Sequence, residues 1–133
     1  MKWDRKYPNI RKEKDMLFIE YPKCSTCKKA KKYLEENKVT FTDRNIITET
    51  PTKEELKSWI EKYQYPVDKL YNTSGMKYRE LNLKEKRKDM SIEDQLEILS
   101  SDGMLLKRPI LITEKAMLTG FKEKEWKNIL EEE

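Results

Sequence analysis

The feature that most constrains this chain is a pair of cysteines, Cys24 and Cys27, spaced C-x-x-C between two runs of different periodicity. The continuous apolar run Met16–Ile19 predicts a buried strand before the pair, and the amphipathic run 30–34 predicts a helix after it. Both sulfurs then lie on one turn at the start of that helix, where backbone N–H groups and the helix dipole favour a thiolate. The arrangement is typical of a redox site, since two cysteines so close in sequence stabilise little by closing a loop.

The absence of histidine from all 133 residues excludes several chemistries. Neither a Cys–His nor a Ser–His–Asp arrangement can form, and two thiols do not complete a closed zinc site. We therefore predict no metal, and any acid or base must be a carboxylate, a lysine, a tyrosine or a thiol. There is also no apolar run long enough to cross a bilayer and no signal peptide with a hydrophobic centre, so we predict a cytoplasmic protein without membrane association.

The net charge of +4 is concentrated at the start of the chain. Residues 1–15 hold six Lys or Arg against three acids, which leaves a balance of only +1 for residues 16–133. We predict a single domain over 16–133 that does not bind nucleic acid directly, preceded by a flexible arm over 1–15. The codons of Lys12 and Glu13 can form a ribosome-binding sequence, so we hypothesise that translation starts at Met16 and that the arm is not native. The alternative is a genuine basic tail.

The chain is predicted to turn at the cysteines. Pro22 cannot continue a central strand, and Ser25 or Thr26 can cap the helix that follows. That helix is expected to run to about Glu36, with Asn37 as its C-cap.

The rest of the chain alternates strand and helix patterns. A second strand is predicted over 39–47, parallel to the first because a helix connects them. Thr52 and Glu55 form a capping box that starts a helix, and Ser91 caps a later one. The remaining predicted elements are a strand opened by Pro109, an antiparallel partner over 116–120, and a helix over Lys122–Leu130 followed by fraying residues 131–133.

Cys24 is the predicted nucleophile. The helix end, a second thiol and basic neighbours all lower the pKa of a cysteine. The basic neighbours are Lys23, Lys28 and Lys29. Once Cys24 has attacked an oxidised substrate, Cys27 is placed to resolve the intermediate by closing the disulfide, and it should be the less exposed sulfur. The alternative is a pair of buried, inert cysteines.

A second informative stretch is the cation pair Lys107–Arg108, followed by Pro109 and an apolar strand. A cis bond before Pro109 is a sensible expectation at this position. The Arg108 guanidinium is predicted to bind an anion beside the thiolate. The alternative is a solvated basic pair on the surface.

These stretches together resemble the ArsC/Spx family of thioredoxin-like proteins. The resemblance runs from Met16 to about Leu130. It is carried by C-S-T-C-K-K-A-K-K-Y-L from Cys24, N-T-S-G-M-K-Y-R-E-L-N-L-K-E-K from Asn72, S-S-D-G-M-L-L-K-R-P-I-L-I from Ser100 and G-F-K-E from Gly120. It implies an α/β, thioredoxin-like fold with a mixed four-stranded sheet and a helical insertion over about 52–100.

The resemblance also implies a function. Glutaredoxin-dependent arsenate reductases of this family have one nucleophilic cysteine, matched by Cys24, and arginines that hold the oxyanion, one of which is matched by Arg108. Their other arginines would fall near Ser74 and around 117–119, where this chain has none, and they usually lack the counterpart of Cys27. The implied activity is a thiol-dependent oxidoreductase that is a monomer and has no cofactor. Glutathione, another small thiol or a glutaredoxin- or thioredoxin-type protein would be its reductant, and its substrate would be an oxyanion or glutathione.

Two alternatives come from different classes. Spx-type members of the family use the C-x-x-C pair as a redox switch and bind the α subunit of RNA polymerase. The glycine associated with that contact would fall near 64–67, where this chain has none. The other alternative is a thioredoxin-like binding module with vestigial cysteines.

Overall fold

The computed structural model describes residues 16–132, within which four strands form one mixed sheet in the order β2-β1-β3-β4. The strands are β1 (Met16–Glu20), β2 (Phe41–Asn45), β3 (Ile110–Ile112) and β4 (Met117–Thr119). The first two pair in parallel, and the other neighbours pair antiparallel. The prediction of an α/β fold with a mixed four-stranded sheet is confirmed. The predicted arm over 1–15 lies outside the described residues.

Within the described residues, the helices lie between and after these strands. The α-helices are α1 (Ser25–Glu36), α2 (Lys53–Tyr63), α3 (Met76–Glu80), α4 (Leu83–Lys86), α5 (Ile92–Ser101) and α6 (Glu123–Glu132). Short 3-10 helices cover Val67–Leu70, Arg87–Asp89 and Gly103–Leu105. The segment between β2 and β3 is therefore mostly helical.

Both faces of the sheet are covered, which is why β1 reads as a continuous apolar run. Phe18 faces α1 and α6, and its ring meets the Trp126 ring edge-on at a centroid distance of 6.3 Å. Ile19 points to the opposite face, where it packs with Leu56 of α2 and Leu99 of α5. The cysteine motif that follows β1 is thus attached to the most deeply buried strand.

Local sequence signals determine most of the element boundaries. The Thr52–Glu55 capping box is present, Ser91 caps α5 and Asn37 is the C-cap of α1, all as predicted. The strand predicted over 39–47 is shorter in the structure, Phe41–Asn45. It ends at Asn45 because the side-chain oxygen of this residue accepts hydrogen bonds from the backbone N–H groups of Ile47 and Thr48, which turns the chain.

The end of the chain differs from the prediction. Residues 131 and 132 continue α6 instead of fraying. Ile129 and Leu130, in the turn before them, pack against the α1 face of the core, and that contact holds the last turn in helical form.

The helical segment holds the residues that lead into β3. Tyr71 forms an isolated antiparallel bridge with Leu106. On either side of it, the Asn72 N–H donates to the Leu105 carbonyl at 2.8 Å and the Lys107 N–H donates to the Leu70 carbonyl at 2.7 Å. The chain arriving at residue 108 is therefore hydrogen-bonded on one side to the helical segment, while β3 is hydrogen-bonded to β1.

Candidate functional site

Cys24 is itself the N-cap of α1. The turn after β1 is closed by the Cys24 N–H, which donates to the Tyr21 carbonyl at 2.9 Å. The Cys24 sulfur then accepts from the Cys27 N–H at 3.4 Å, in the manner of a capping side chain. The prediction that Ser25 or Thr26 caps this helix is wrong: both are exposed residues of its first turn, because a sulfur takes the acceptor position that a hydroxyl would otherwise fill.

The two thiols differ sharply in their environment. Cys27 is fully buried and Cys24 is half-buried, and both are free thiols. Burial by itself raises the pKa of Cys24, but hydrogen bonds from the Cys27 amide and thiol, together with the nearby Arg108 guanidinium, outweigh it and lower the pKa below its ordinary value of 9.0. Burial, reinforced by the adjacent Cys24 thiolate, raises the pKa of Cys27 to about 12.

Arg108 lies beside this pair. The bond between Arg108 and Pro109 is cis, as expected, and Pro109 is buried. The pairing of Ile19 with Ile110, continued two residues, brings Arg108 opposite Tyr21, and the guanidinium lies over the Tyr21 ring at 5.2 Å from its centroid. Arg108 is half-buried, whereas its neighbour Lys107 is exposed. The two residues therefore do not form the solvated basic pair that was the alternative interpretation.

Two nitrogens of the Arg108 guanidinium have no acceptor. Nε and Nη1 are buried and have no hydrogen-bond partner among residues 16–132. A buried N–H donor of a charged group that is left without a partner is costly, so such groups normally meet an anion or a polar ligand. The position therefore offers free donors beside a stabilised thiolate.

The lysines near the motif contribute less than the sequence suggested. Lys23, Lys28 and Lys29 are all exposed, and the largest effects on the pKa of Cys24 come from burial, Cys27 and Arg108. Water screens the charge of an exposed lysine, whereas the half-buried guanidinium acts at close range. The helix N-terminus, the second thiol and Arg108 are the features that the fold brings together.

The loop before α3, residues 72–75, contains no cation and lies against the residues that lead into β3. Asn72 reaches the residues before β3, with its side-chain amide donating to the Met104 carbonyl at 3.4 Å. Lys77, in the first turn of α3, lies 4.0 Å from Asp102, and Arg79 is exposed. Neither stands in for the arginine that the family resemblance places near Ser74.

A carboxylate cluster next to the motif was missed by the sequence reasoning. Glu20, the last residue of β1, is buried beneath α1, 3.5 Å from the Lys31 ammonium, which in turn lies 2.7 Å from the Asp43 carboxylate. Burial and the neighbouring Asp43 raise the pKa of Glu20 to about 7. The sequence signal that could have revealed this cluster is the acidic residue at the end of the apolar strand β1. The sequence reasoning also missed Tyr21, whose ring lies beneath Arg108.

Residues 16–132 hold no group of three or more Cys, Asp or Glu side chains arranged to bind a metal ion. Over the same range, no helix is long and apolar enough to cross a membrane.

Comparison with known proteins identifies the family. One relative, the uncharacterised protein YusI of Bacillus subtilis, is 53% identical over 108 residues, which cover 81% of this chain and 92% of YusI. The global transcriptional regulator Spx 1 of Bacillus cereus is 32% identical over 82% of each chain. A solved ArsC-family-related protein from Bacteroides fragilis superposes with a TM-score of 0.82 at 47% identity, covering 90% of this chain and 99% of that one. Residues 19–129 match the ArsC family itself, so this chain is a member of the ArsC family.

Proposed function

We propose that this protein is a thiol-dependent oxidoreductase in which Cys24 is the nucleophile and Cys27 resolves the intermediate. The observation that carries the proposal is the pairing of a Cys24 thiol of lowered pKa with the buried, unpartnered donors of Arg108. The lowered pKa increases the fraction of Cys24 present as the attacking thiolate, and the free N–H donors of Arg108 offer a place for an anionic part of the substrate.

The chemistry fits a disulfide better than arsenate. Arsenate reduction in this family, as implied by the resemblance, relies on several arginines, and only Arg108 is matched. A disulfide needs a thiolate, a resolving thiol and one cation to orient it, which is what Cys24, Cys27 and Arg108 provide. We infer a substrate in which glutathione, through one of its carboxylates, meets Arg108. A small thiol or a glutaredoxin- or thioredoxin-type protein would then reduce the Cys24–Cys27 disulfide.

The test is turnover with a glutathione-linked disulfide and, separately, with arsenate. Cys24→Ser is expected to abolish reduction of the disulfide. Cys27→Ser, the matched control, should still attack once and should accumulate a mixed disulfide at Cys24 that mass spectrometry detects. Turnover that survives in Cys24→Ser would show that the mechanism is wrong.

A second candidate function is a redox-sensing transcription regulator. It is favoured by the 32% identity to Spx 1, a named global transcriptional regulator. In this role the same thiol pair would switch binding to the α subunit of RNA polymerase. Within residues 64–67, where the resemblance expects a glycine, Gln64 ends α2 in a left-handed conformation with φ of 49°, which glycine would adopt more readily.

A binding experiment separates the two functions. Pull-down with the C-terminal domain of the polymerase α subunit should retain this protein only if it is a regulator. Stable binding that depends on the oxidation state of the cysteines would favour the switch. Absence of binding together with disulfide turnover would favour the enzyme.

The non-redox alternative, a thioredoxin-like binding module with vestigial cysteines, is tested by a separate measurement. Titration of the thiolate absorbance should give Cys24 a pKa below the ordinary value of 9.0. An unshifted value would remove support from both redox functions.

A further inference from the structure

Arg108 acts on both thiols of the site. Its guanidinium lies over the Tyr21 ring at 5.2 Å from the centroid, and the Tyr21 carbonyl accepts from the Cys24 N–H at 2.9 Å. The Cys24 sulfur in turn accepts from the Cys27 N–H at 3.4 Å, so Arg108 covers the residue that begins the turn carrying both sulfurs. The positive charge of Arg108 favours the thiolate form of Cys24 and of Cys27 alike. No acceptor in residues 16–132 competes for its buried Nε and Nη1 donors.

In the reduced protein only one of the two sulfurs can hold the charge. The Cys27 thiol donates to the Cys24 thiolate, and the charge on Cys24 opposes ionisation of Cys27. Cys27 is therefore protonated and unreactive while Cys24 attacks. This order prevents the resolving thiol from reacting first.

The balance reverses when Cys24 becomes part of a mixed disulfide. Cys24 then carries no charge, so its opposition to ionisation of Cys27 disappears. Arg108 has simultaneously lost the Cys24 thiolate as a counter-charge, and unless a carboxylate of the substrate takes that place, a guanidinium with buried donors and no partner is strongly disfavoured. Ionisation of Cys27 relieves both effects, since it restores an anion beside Arg108.

We propose that Arg108 stabilises two thiolates in succession, first that of Cys24 and then, once Cys24 is bound to the substrate, that of Cys27. This inference rests on the function proposed above. Arg108 is thereby assigned to the resolving step as well as to the attack.

The electrons and atoms balance without a further reactant. The Cys24 thiolate attacks one sulfur of a substrate R–S–S–R′, the S–S bond breaks, and R′–S⁻ leaves and takes a proton from water. Cys27 releases its proton to solvent, and its thiolate attacks the Cys24 sulfur, which expels R–S⁻. Two electrons pass from the cysteine pair to the substrate, and the Cys24–Cys27 disulfide remains.

The other charged groups near the motif do not replace Arg108. Lys23, before Cys24, and Lys28, in α1, are exposed to solvent. Glu20, at the end of β1, interacts with Lys31 and Asp43. The groups that act most strongly on the resolving thiol are the Tyr21 amide, Cys24 and Arg108.

A stopped-flow reaction with Ellman's reagent measures both steps in one trace. The reduced protein and one equivalent of reagent release a first thionitrobenzoate when Cys24 attacks and a second when Cys27 resolves. The variants are Arg108→Met, which removes the charge at similar length, and Arg108→Lys, which keeps the charge. Lys107→Met is the matched control, because it removes an exposed cation one residue away. Each rate is followed from pH 6 to pH 9.

We expect Arg108→Met to slow both releases and to move both pH profiles upward, with Arg108→Lys intermediate and Lys107→Met unchanged. A tenfold smaller thiolate fraction should slow either step about threefold, because the more basic thiolate is also the better nucleophile. An unchanged second release in Arg108→Met would overturn the inference. So would a second release slowed equally at every pH, since that is the mark of a merely structural role.

A second measurement covers the case in which Arg108→Met folds poorly. In a Cys24→Ser background, which imitates a Cys24 without charge, the Cys27 pKa is read from thiolate absorbance with and without Arg108→Lys. The lysine lacks the guanidinium's Nε and Nη1 donors, so the Cys27 pKa should rise, and an unchanged pKa would refute the inference. Failure of the proposed function is distinguishable, because the wild-type protein would then release its first thionitrobenzoate no faster than an ordinary cysteine.

Discussion

The replacement Glu20→Gln should make this protein more stable at alkaline pH. Glu20 is only 5% exposed, and its pKa is raised from 4.5 to about 7 by burial and by Asp43. A group whose pKa is higher in the folded state contributes stability that is fully present below pH 4.5 and is lost as the pH rises through about 7. Glutamine keeps the shape and a donor toward Asp43 but never acquires the charge.

The magnitude follows from the size of the pKa change. The rise from 4.5 to about 7 corresponds to about 3 kcal/mol. Part of this loss of stability occurs below pH 5. Between pH 5 and pH 8 we therefore expect the free energy of unfolding of the wild type to drop by about 2 kcal/mol relative to that of Glu20→Gln. Asp43 does not contribute in this window, because its pKa is lowered from 3.8 and its stabilisation is lost only in stronger acid.

The assay is urea unfolding of the reduced proteins, followed by tryptophan fluorescence at pH 5, 6, 7 and 8. Asp43→Asn should reduce the pH dependence, since it removes a charge that raises the Glu20 pKa. Glu36→Gln, an exposed position on α1, is the control and should leave the curve unchanged. A difference between wild type and Glu20→Gln that does not vary with pH would refute the reasoning.

Three further outcomes are expected. Gly103→Ala should lower the free energy of unfolding by about 3 kcal/mol or prevent folding, because a Cβ there would lie 2.2 Å from the Ile46 carbonyl oxygen, and urea unfolding measures the loss. Thr52→Ala should cost about 1 kcal/mol in the same assay, since it removes the capping box of α2, and a loss below the error of the fit would contradict this. Iodoacetamide at pH 7 should alkylate Cys24 and spare the native Cys27, as peptide mapping would detect; equal labelling of both would disagree with their opposite pKa changes.

Much of the fold could be predicted from local patterns. The apolar run of β1 is a short-range signal, as are the capping residues Thr52 and Ser91, and each is present in the structure. The strand predicted over 39–47 was too long at both ends, since it spans Phe41–Asn45. At its C-terminal end a single side chain, that of Asn45, turns the chain, and a pattern of apolar residues contains no information about such a turn.

The placement of the two thiols was also accessible from the sequence. The C-x-x-C spacing at a strand-to-helix junction is enough to place Cys24 at a helix end and Cys27 inside the helix, because helical geometry is local. The mistake about Ser25 and Thr26 has the same local origin: sulfur is an uncommon cap, so the hydroxyl residues were preferred.

The chemical setting of those cysteines was decided by tertiary structure alone. Arg108 is 84 positions after Cys24, and only the antiparallel pairing of β3 with β1 brings its guanidinium over Tyr21 and leaves Nε and Nη1 buried without an acceptor. The raised pKa of Glu20 likewise depends on Asp43 from the neighbouring strand and on coverage by α1. Desolvation and close charges determine pKa values, and both arise from contacts between segments distant in sequence, so the sequence by itself determined which atoms could react and the fold decided how they are charged.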